Sequence, residues 1–194
     1  MTVDDEVVDL YLVHHPTAKV NGGGTTALVD KQNRRHLAYF DSDATMDPEQ
    51  YFTPNLLGGS LEWDEDLSTA SCGCDAAFYL VRMPAVAEDG SYDVTDGYYY
   101  CGSNAHKYEL CPEFDVMEGN LYSWRTNAHS CDPPTDGFYA TCDGSAKCGV
   151  DQYYYEGYGP GGSVIDTNSP FHAKADFNTD ETGTIFTEYV ITLT

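Results

Sequence analysis

Positive charge is what this sequence has least of. Lys and Arg number 9 against 32 Asp and Glu, for a formal net charge of −23. Such a surface repels phosphate backbones and anionic bilayers, which argues against nucleic acid and membrane surfaces as partners. A neutral ligand, an acidic medium or salty surroundings that screen self-repulsion fit the charge instead. The acids are spread along the chain rather than gathered in a tail, so most are read as a solvated surface. No run of eighteen apolar residues occurs, which rules out a spanning helix. Met1–Glu6 has neither the basic start nor the apolar stretch of a signal peptide, so the expectation is a chain without a leader or one re-started with Met. Asn-x-Ser/Thr sequons are absent, and N-glycosylation is not expected.

Long helical periodicity is also missing. Short apolar or alternating runs recur instead: Val7–Val13, Thr26–Val29, His36–Phe40, Leu61–Trp63, Ala76–Met83, Tyr98–Tyr100, Glu113–Met117, Gln152–Tyr155, Phe171–Phe177 and Thr184–Thr194. Clusters of Gly, Asp, Asn and Pro separate them, as in NGGG at 21–24, CDPPTDG at 131–137 and GPGG at 159–162. Many short strands divided by turn signals predict an antiparallel sandwich or barrel. Leu80–Glu88 leaves room for a turn of helix. At 194 residues, with no linker visible, residues 1–194 are expected to form one domain.

What is there is cysteine, tyrosine and a crowd of acids. Seven cysteines point to disulfide staples and an oxidising compartment. Cys101/Cys111 and Cys142/Cys148 bracket short Gly-containing loops. Zinc is the weaker reading, because Cys72-x-Cys74 is tighter than the usual ligand spacing and no second close pair answers it. The 16 Tyr suit strands and, in part, a sugar-binding face. His14-His15, His106 and His172 read as loop or edge residues. NGGG lacks the Lys of a phosphate loop, and no G-x-S-x-G elbow supports serine chemistry. No cofactor is implied, although an Asp-rich chain leaves a structural calcium open.

The stretch CPEFDVMEGN (111–120) places Glu113, Asp115 and Glu118 within six positions. On a regular strand Glu113, Asp115 and Met117 share one face and Glu118 takes the other. A β-bulge between Asp115 and Glu118 would return Glu118 to the acidic face. Two carboxyls so placed can flank one glycosidic bond, an ionised one attacking the sugar and a protonated one supplying the leaving oxygen. Three acids on an exposed edge with no chemistry are the plainer alternative.

This segment resembles the catalytic strand of glycoside hydrolase family 7, the cellobiohydrolases and endoglucanases. Further matches follow in order: the stretch 56–83 with Cys72, Gly73, Ala77 and Tyr79, then GYYYCGS (97–103), His129 with Cys131, and YGPGGSVIDT (158–167). The resemblance implies a concanavalin-like all-β jelly roll with a concave groove, and retaining, endo-acting hydrolysis of β-1,4-glucan. Glu113 would be the nucleophile, Asp115 its proton-sharing helper, Glu118 the acid/base and His129 a neighbour of the cleavage point. Ser103 would bond the nucleophile, and Tyr79 and Tyr100 would line the groove. Asp75 replaces a family Asn and adds a fourth acid near the site. Cys101–Cys111 and Cys131–Cys142 are the implied disulfides. A further family bridge is lost on both sides together, at Ala105 and Leu110.

The family's chain is about twice as long, and Cys72 and Cys148 match cysteines whose partners lie in the part not present here. They are left to pair with each other, with Cys74, or to stay reduced. The family's Trp before the acid/base is Met117, and Trp63 and Trp124 are the candidate sugar platforms. An open, shallow groove is therefore expected, in a secreted protein acting on β-glucan as a monomer or as a dimer through the Thr184–Thr194 edge. Two alternatives stay open: a family 16-like enzyme for β-1,3 or mixed linkages, and a non-catalytic glucan-binding protein on the same scaffold.

Overall fold

The computed structural model describes residues 48–93, 99–104, 109–145 and 156–194, with Leu37 and the backbone of strands within 2–38 and at 148–152. His14-His15, residues 22–24 of the NGGG stretch, Ala105 and His106 lie outside the described residues. Six short strands come first: β1 (Thr2–Val3), β2 (Glu6–Val7), β3 (Tyr11–Val13), β4 (Lys19–Asn21), β5 (Thr26–Leu28) and β6 (His36–Ala38). They pair antiparallel as β1–β2, β3–β6 and β4–β5. A 3-10 turn at Pro48–Gln50 leads into the longer strands β7 (Ser60–Glu65), β8 (Ala76–Val81), β9 (Glu113–Asn120) and β10 (Ser123–His129). The chain finishes with β11 (Cys148–Gln152), β12 (Tyr158–Gly159), β13 (Ile165–Asp166), β14 (Phe171–Thr179) and β15 (Phe186–Leu193).

Two antiparallel sheets face each other. One runs β11-β10-β9-β8 and the other β15-β14-β7. The reason is clearest in β14, where Phe171, Ala173, Ala175 and Phe177 are buried and the residues between them are not. A period of two puts one apolar row on one side of the pleat, and that row must find a second sheet. The row is met by Phe78 and Leu80 of β8, Phe114, Val116 and Met117 of β9, and Trp124 of β10. Size complements size across this interface. Ala173 and Ala175 are fully buried on the central strand, and the rings of Trp63 and Trp124 fill the adjacent volume, stacked at 6.5 Å. Phe114 likewise sits between Phe177 at 5.8 Å and Tyr189 at 4.5 Å. The architecture is the all-β jelly-roll sandwich expected from the sequence.

Three expectations change. Residues 82–93 form no helical turn; they run irregularly, with Val86 bridging Tyr92. The two tryptophans are core residues rather than sugar platforms, because each lies on the inward row of its strand. Cys142 pairs with Cys131, as the resemblance implies, rather than with Cys148 across the Gly-containing loop, and Cys72 and Cys74 are free thiols, an outcome left open above. No described helix is long and apolar enough to cross a membrane.

Candidate active site

The register of β9 settles where its acids point. Against β8, Phe78 pairs with Met117 and Tyr79 with Asp115, so one step on β8 spans two on β9. Against β10, Arg125 pairs with Glu118 and Asn127 with Asp115, so two steps span three. Both neighbours therefore find one extra residue in β9 between Asp115 and Glu118. This is a β-bulge, and it flips the alternation. Val116 and Met117 both turn inward, at 0% and 3% exposure. Met117 thus leaves the acidic face that a regular strand would give it. Glu113, Asp115 and Glu118 all reach the outer surface and line one cleft of about 270 Å³. The carbonyl freed at the bulge, that of Asp115, accepts the Thr126 hydroxyl at 3.0 Å.

Each acid has its own surroundings. Glu113 accepts three hydrogen bonds: from the Tyr100 hydroxyl at 3.0 Å, and from the Ser103 N–H and hydroxyl at 2.9 and 2.8 Å. Three donors fix the orientation of this carboxyl. Glu118 accepts the Tyr79 hydroxyl on Oε1 at 2.8 Å and the Asn127 amide on Oε2 at 3.2 Å. The Arg125 Nε lies 3.9 Å from the same Oε2. Burial pushes the Tyr79 hydroxyl up, with the Glu118 carboxylate adding to it, so Tyr79 stays a donor.

Asp115 lies deepest, at 5% exposure. Burial first, then the charges of Glu113 and Glu118, push its carboxyl up to about 7, against the opposing pull of His129. His129 fixes where a proton sits. Its Nδ1 is 2.7 Å from the carbonyl oxygen of Asp143, which can only accept, so Nδ1 carries hydrogen. Its Nε2 faces Asp115 Oδ2 at 3.1 Å. A neutral ring then accepts at Nε2, and the shared proton belongs to Asp115; a charged ring donates there instead. One proton sits between them in either case. Asp115 Oδ1 is buried without a partner among the described residues, which costs less on a neutral acid than on a carboxylate.

Two disulfides hold the loops that complete the cleft. Cys101–Cys111 closes the segment in which the Cys111 N–H bonds the Gly102 carbonyl, and this brings Ser103 onto Glu113. Cys131–Cys142 closes the other, where the Asp143 N–H bonds the Ser130 carbonyl and its own carbonyl meets His129. Gly102 is where a side chain would not fit. A Cβ there would lie 3.1 Å from the Tyr100 hydroxyl and 3.3 Å from both Glu113 oxygens. Gly102→Ala is therefore expected to shift the Glu113 carboxyl and lower kcat by roughly ten- to a hundredfold, with the thermal midpoint little changed. Steady-state kinetics beside a melting curve checks this.

Other sequence-predicted residues sit differently. Tyr100 is buried in a core cluster with Tyr51, Met83 and Ala85, and meets Glu113 through its hydroxyl. Asp75 is exposed outside the cleft lining; partial loss of water and the charge of Glu118 hold its carboxyl above the usual range. His172 lies on the outer face of β14, 3.0 Å from Asp64. Among the described residues Tyr79 is the aromatic side chain that lines the cleft, fewer than the tyrosine count suggested. Arg125 and Asn127 line the cleft too and were not anticipated. The i, i+2, i+4 spacing that joins them to His129 on one face of β10 is the signal that could have found them. Among the described residues no group of three or more His, Cys, Asp or Glu could hold a metal.

The chain is similar to known proteins over most of its length. No family model matches the chain. Endoglucanase EG-1 of Hypocrea jecorina is 31% identical over 163 residues, covering 74% of this chain and 33% of that protein. Among solved structures, the Humicola insolens endocellulase Cel7B superposes with a TM-score of 0.56 at 20% identity, over 71% of this chain and 41% of that one. A GH7 family cellobiohydrolase from Daphnia pulex gives 0.56 at 21% identity, over 71% and 43%. The chain thus spans about a third of the length of that endoglucanase.

Proposed function

We propose that the chain, 31% identical to Endoglucanase EG-1 over 163 residues, is a relative of glycoside hydrolase family 7 that hydrolyses β-1,4-glucan internally and with retention of configuration. The observation that carries the reading is the bulge in β9, which turns three acids into one cleft, each with a different set of partners. Glu113, held by three donors, is the nucleophile that attacks the anomeric carbon. Glu118 gives its proton to the departing oxygen, and the glycosyl–Glu113 ester forms as the glycosidic bond breaks. Glu118 then takes a proton from water, whose oxygen displaces Glu113 and regenerates both carboxyls.

Asp115 keeps the cleft from holding three negative charges. Its proton, shared with His129, leaves Glu113 free to stay ionised beside it. An open cleft whose aromatic lining is Tyr79 favours internal attack over a threaded chain end. Two disulfides support an extracellular setting, and the net charge of −23 suits a neutral polysaccharide.

The test is the anomer first released. Proton NMR of carboxymethylcellulose or cello-oligosaccharide digests is expected to show the β-anomer before mutarotation. Laminarin should be left intact. Release of the α-anomer first would refute the double displacement, and cleavage of laminarin alone would assign a β-1,3 specificity.

A further inference from the structure

Asn127 is buried to 1% exposure, yet its amide is spent on neither a backbone turn nor a ladder. The side chain leaves β10 on the cleft face and its Nδ2 donates to Glu118 Oε2 at 3.2 Å. The bulge makes this contact possible. Asn127 pairs with Asp115 and Arg125 with Glu118, and the extra β9 residue lies between those two pairs. The two β10 side chains therefore converge on Glu118 along the cleft. From the opposite strand, the Tyr79 hydroxyl holds the other oxygen at 2.8 Å. A carboxyl gripped at one oxygen from β8 and at the other from β10 has lost its freedom to rotate.

We propose that Asn127 is a positioning residue for Glu118: its sealed, non-titrating amide fixes the carboxyl between β8 and β10 in the orientation from which the proton is passed to the leaving oxygen. This rests on the hydrolase reading above. An amide suits the task because it donates without adding charge. The other groups facing Glu118 are Tyr79 from β8, Arg125 from β10, Asp115 on its own strand and Asp75 ahead of β8. Glu113 and His129 act on Asp115 within the same cleft. A carboxylate at 127 would join acids already crowding that face, and like charge disfavours loss of the Glu118 proton.

Two variants test the inference on soluble cello-oligosaccharides. Asn127→Leu is expected to lower kcat about tenfold with KM within about twofold, since the loss falls on proton transfer and not on binding. Asn127→Asp, nearly the same shape, is expected to move the alkaline limb of kcat/KM upward by about one pH unit. A role in folding alone would lower the active fraction and leave that limb in place, so near-UV circular dichroism accompanies both variants. Unchanged kcat in Asn127→Leu, or a pH profile of Asn127→Asp that superimposes on wild type, overturns the proposal. If the wild-type protein releases no reducing ends, the hydrolase reading fails by itself. Carboxyl carbon NMR of Glu118, assigned through its loss in Glu118→Gln, then decides the remaining question. A Glu118 midpoint unmoved by Asn127→Asp would exclude the contact.

Discussion

Glu113→Gln is expected to cut hydrolysis of a soluble cellulose derivative by at least roughly 10³-fold while the protein stays folded. The amide cannot form the ester to the sugar, so the first displacement has no nucleophile. The fold survives because the surroundings of Glu113 adapt to an amide. The Ser103 N–H and hydroxyl still donate to the remaining carbonyl oxygen. On the other side the Tyr100 hydroxyl rotates and accepts from the new NH₂ group where it had donated to Oε1. No buried polar atom is orphaned, and the thermal midpoint should stay within a few degrees of wild type. Reducing-end release and a melting curve on the same preparation check both halves. Wild-type turnover in this variant would remove Glu113 from the chemistry and, with it, the retaining mechanism.

The strands that sequence reading found are those whose inward residues are uniformly apolar. In β14 the row of Phe171, Ala173, Ala175 and Phe177 announces itself, and the run at Thr184–Thr194 contains β15. β10 was missed for the opposite reason. Its inward residues are Trp124, Thr126 and Ala128, of which one is a hydroxyl amino acid and one is small, so the alternation hardly registers as hydropathy. Thr126 is inward because the bulge carbonyl of Asp115 needs a donor there, a need that exists only after β9 and β10 have paired.

The bulge itself was legible, because three acids in the spacing E-x-D-x-x-E have no common face without it. What it did to Met117 follows from the same flip. The partners of Glu118 were harder to see. Asn127 and Arg125 lie close in sequence to His129, yet nothing local ties them to an acid seven or nine positions earlier. That link is a register, and register is fixed by pairing across the whole sheet. The tryptophans were misplaced because a sugar platform and a core ring look alike in sequence. The small Ala173, beside Trp63 in its own sheet and packed in one cluster with Trp124, leaves the volume that the two rings fill.

Asp115→Asn should change how stability depends on pH while leaving stability near pH 4 little altered. The carboxyl of Asp115 is pushed up to about 7 from an ordinary 3.8. Between those values the folded protein holds a proton that the unfolded chain has released. Stability contributed by this group is therefore complete below about pH 4 and declines as pH rises toward neutrality. A shift of that size corresponds to roughly 4 kcal/mol at its upper end, less whatever the shared proton on His129 recovers. Asparagine reproduces the protonated state permanently: its NH₂ donates to His129 Nε2 as the acid does, and it has no charge to uncover. Urea unfolding at intervals from pH 4 to pH 7 should show wild type losing stability relative to the variant, with the two curves converging at the acid end. The repulsion of the remaining surface acids is common to both and cancels in the difference. Parallel curves, or a wild type that gains on the variant as pH rises, would mean that Asp115 is ionised in the folded cleft and that Glu113 and Glu118 face it as a full third charge.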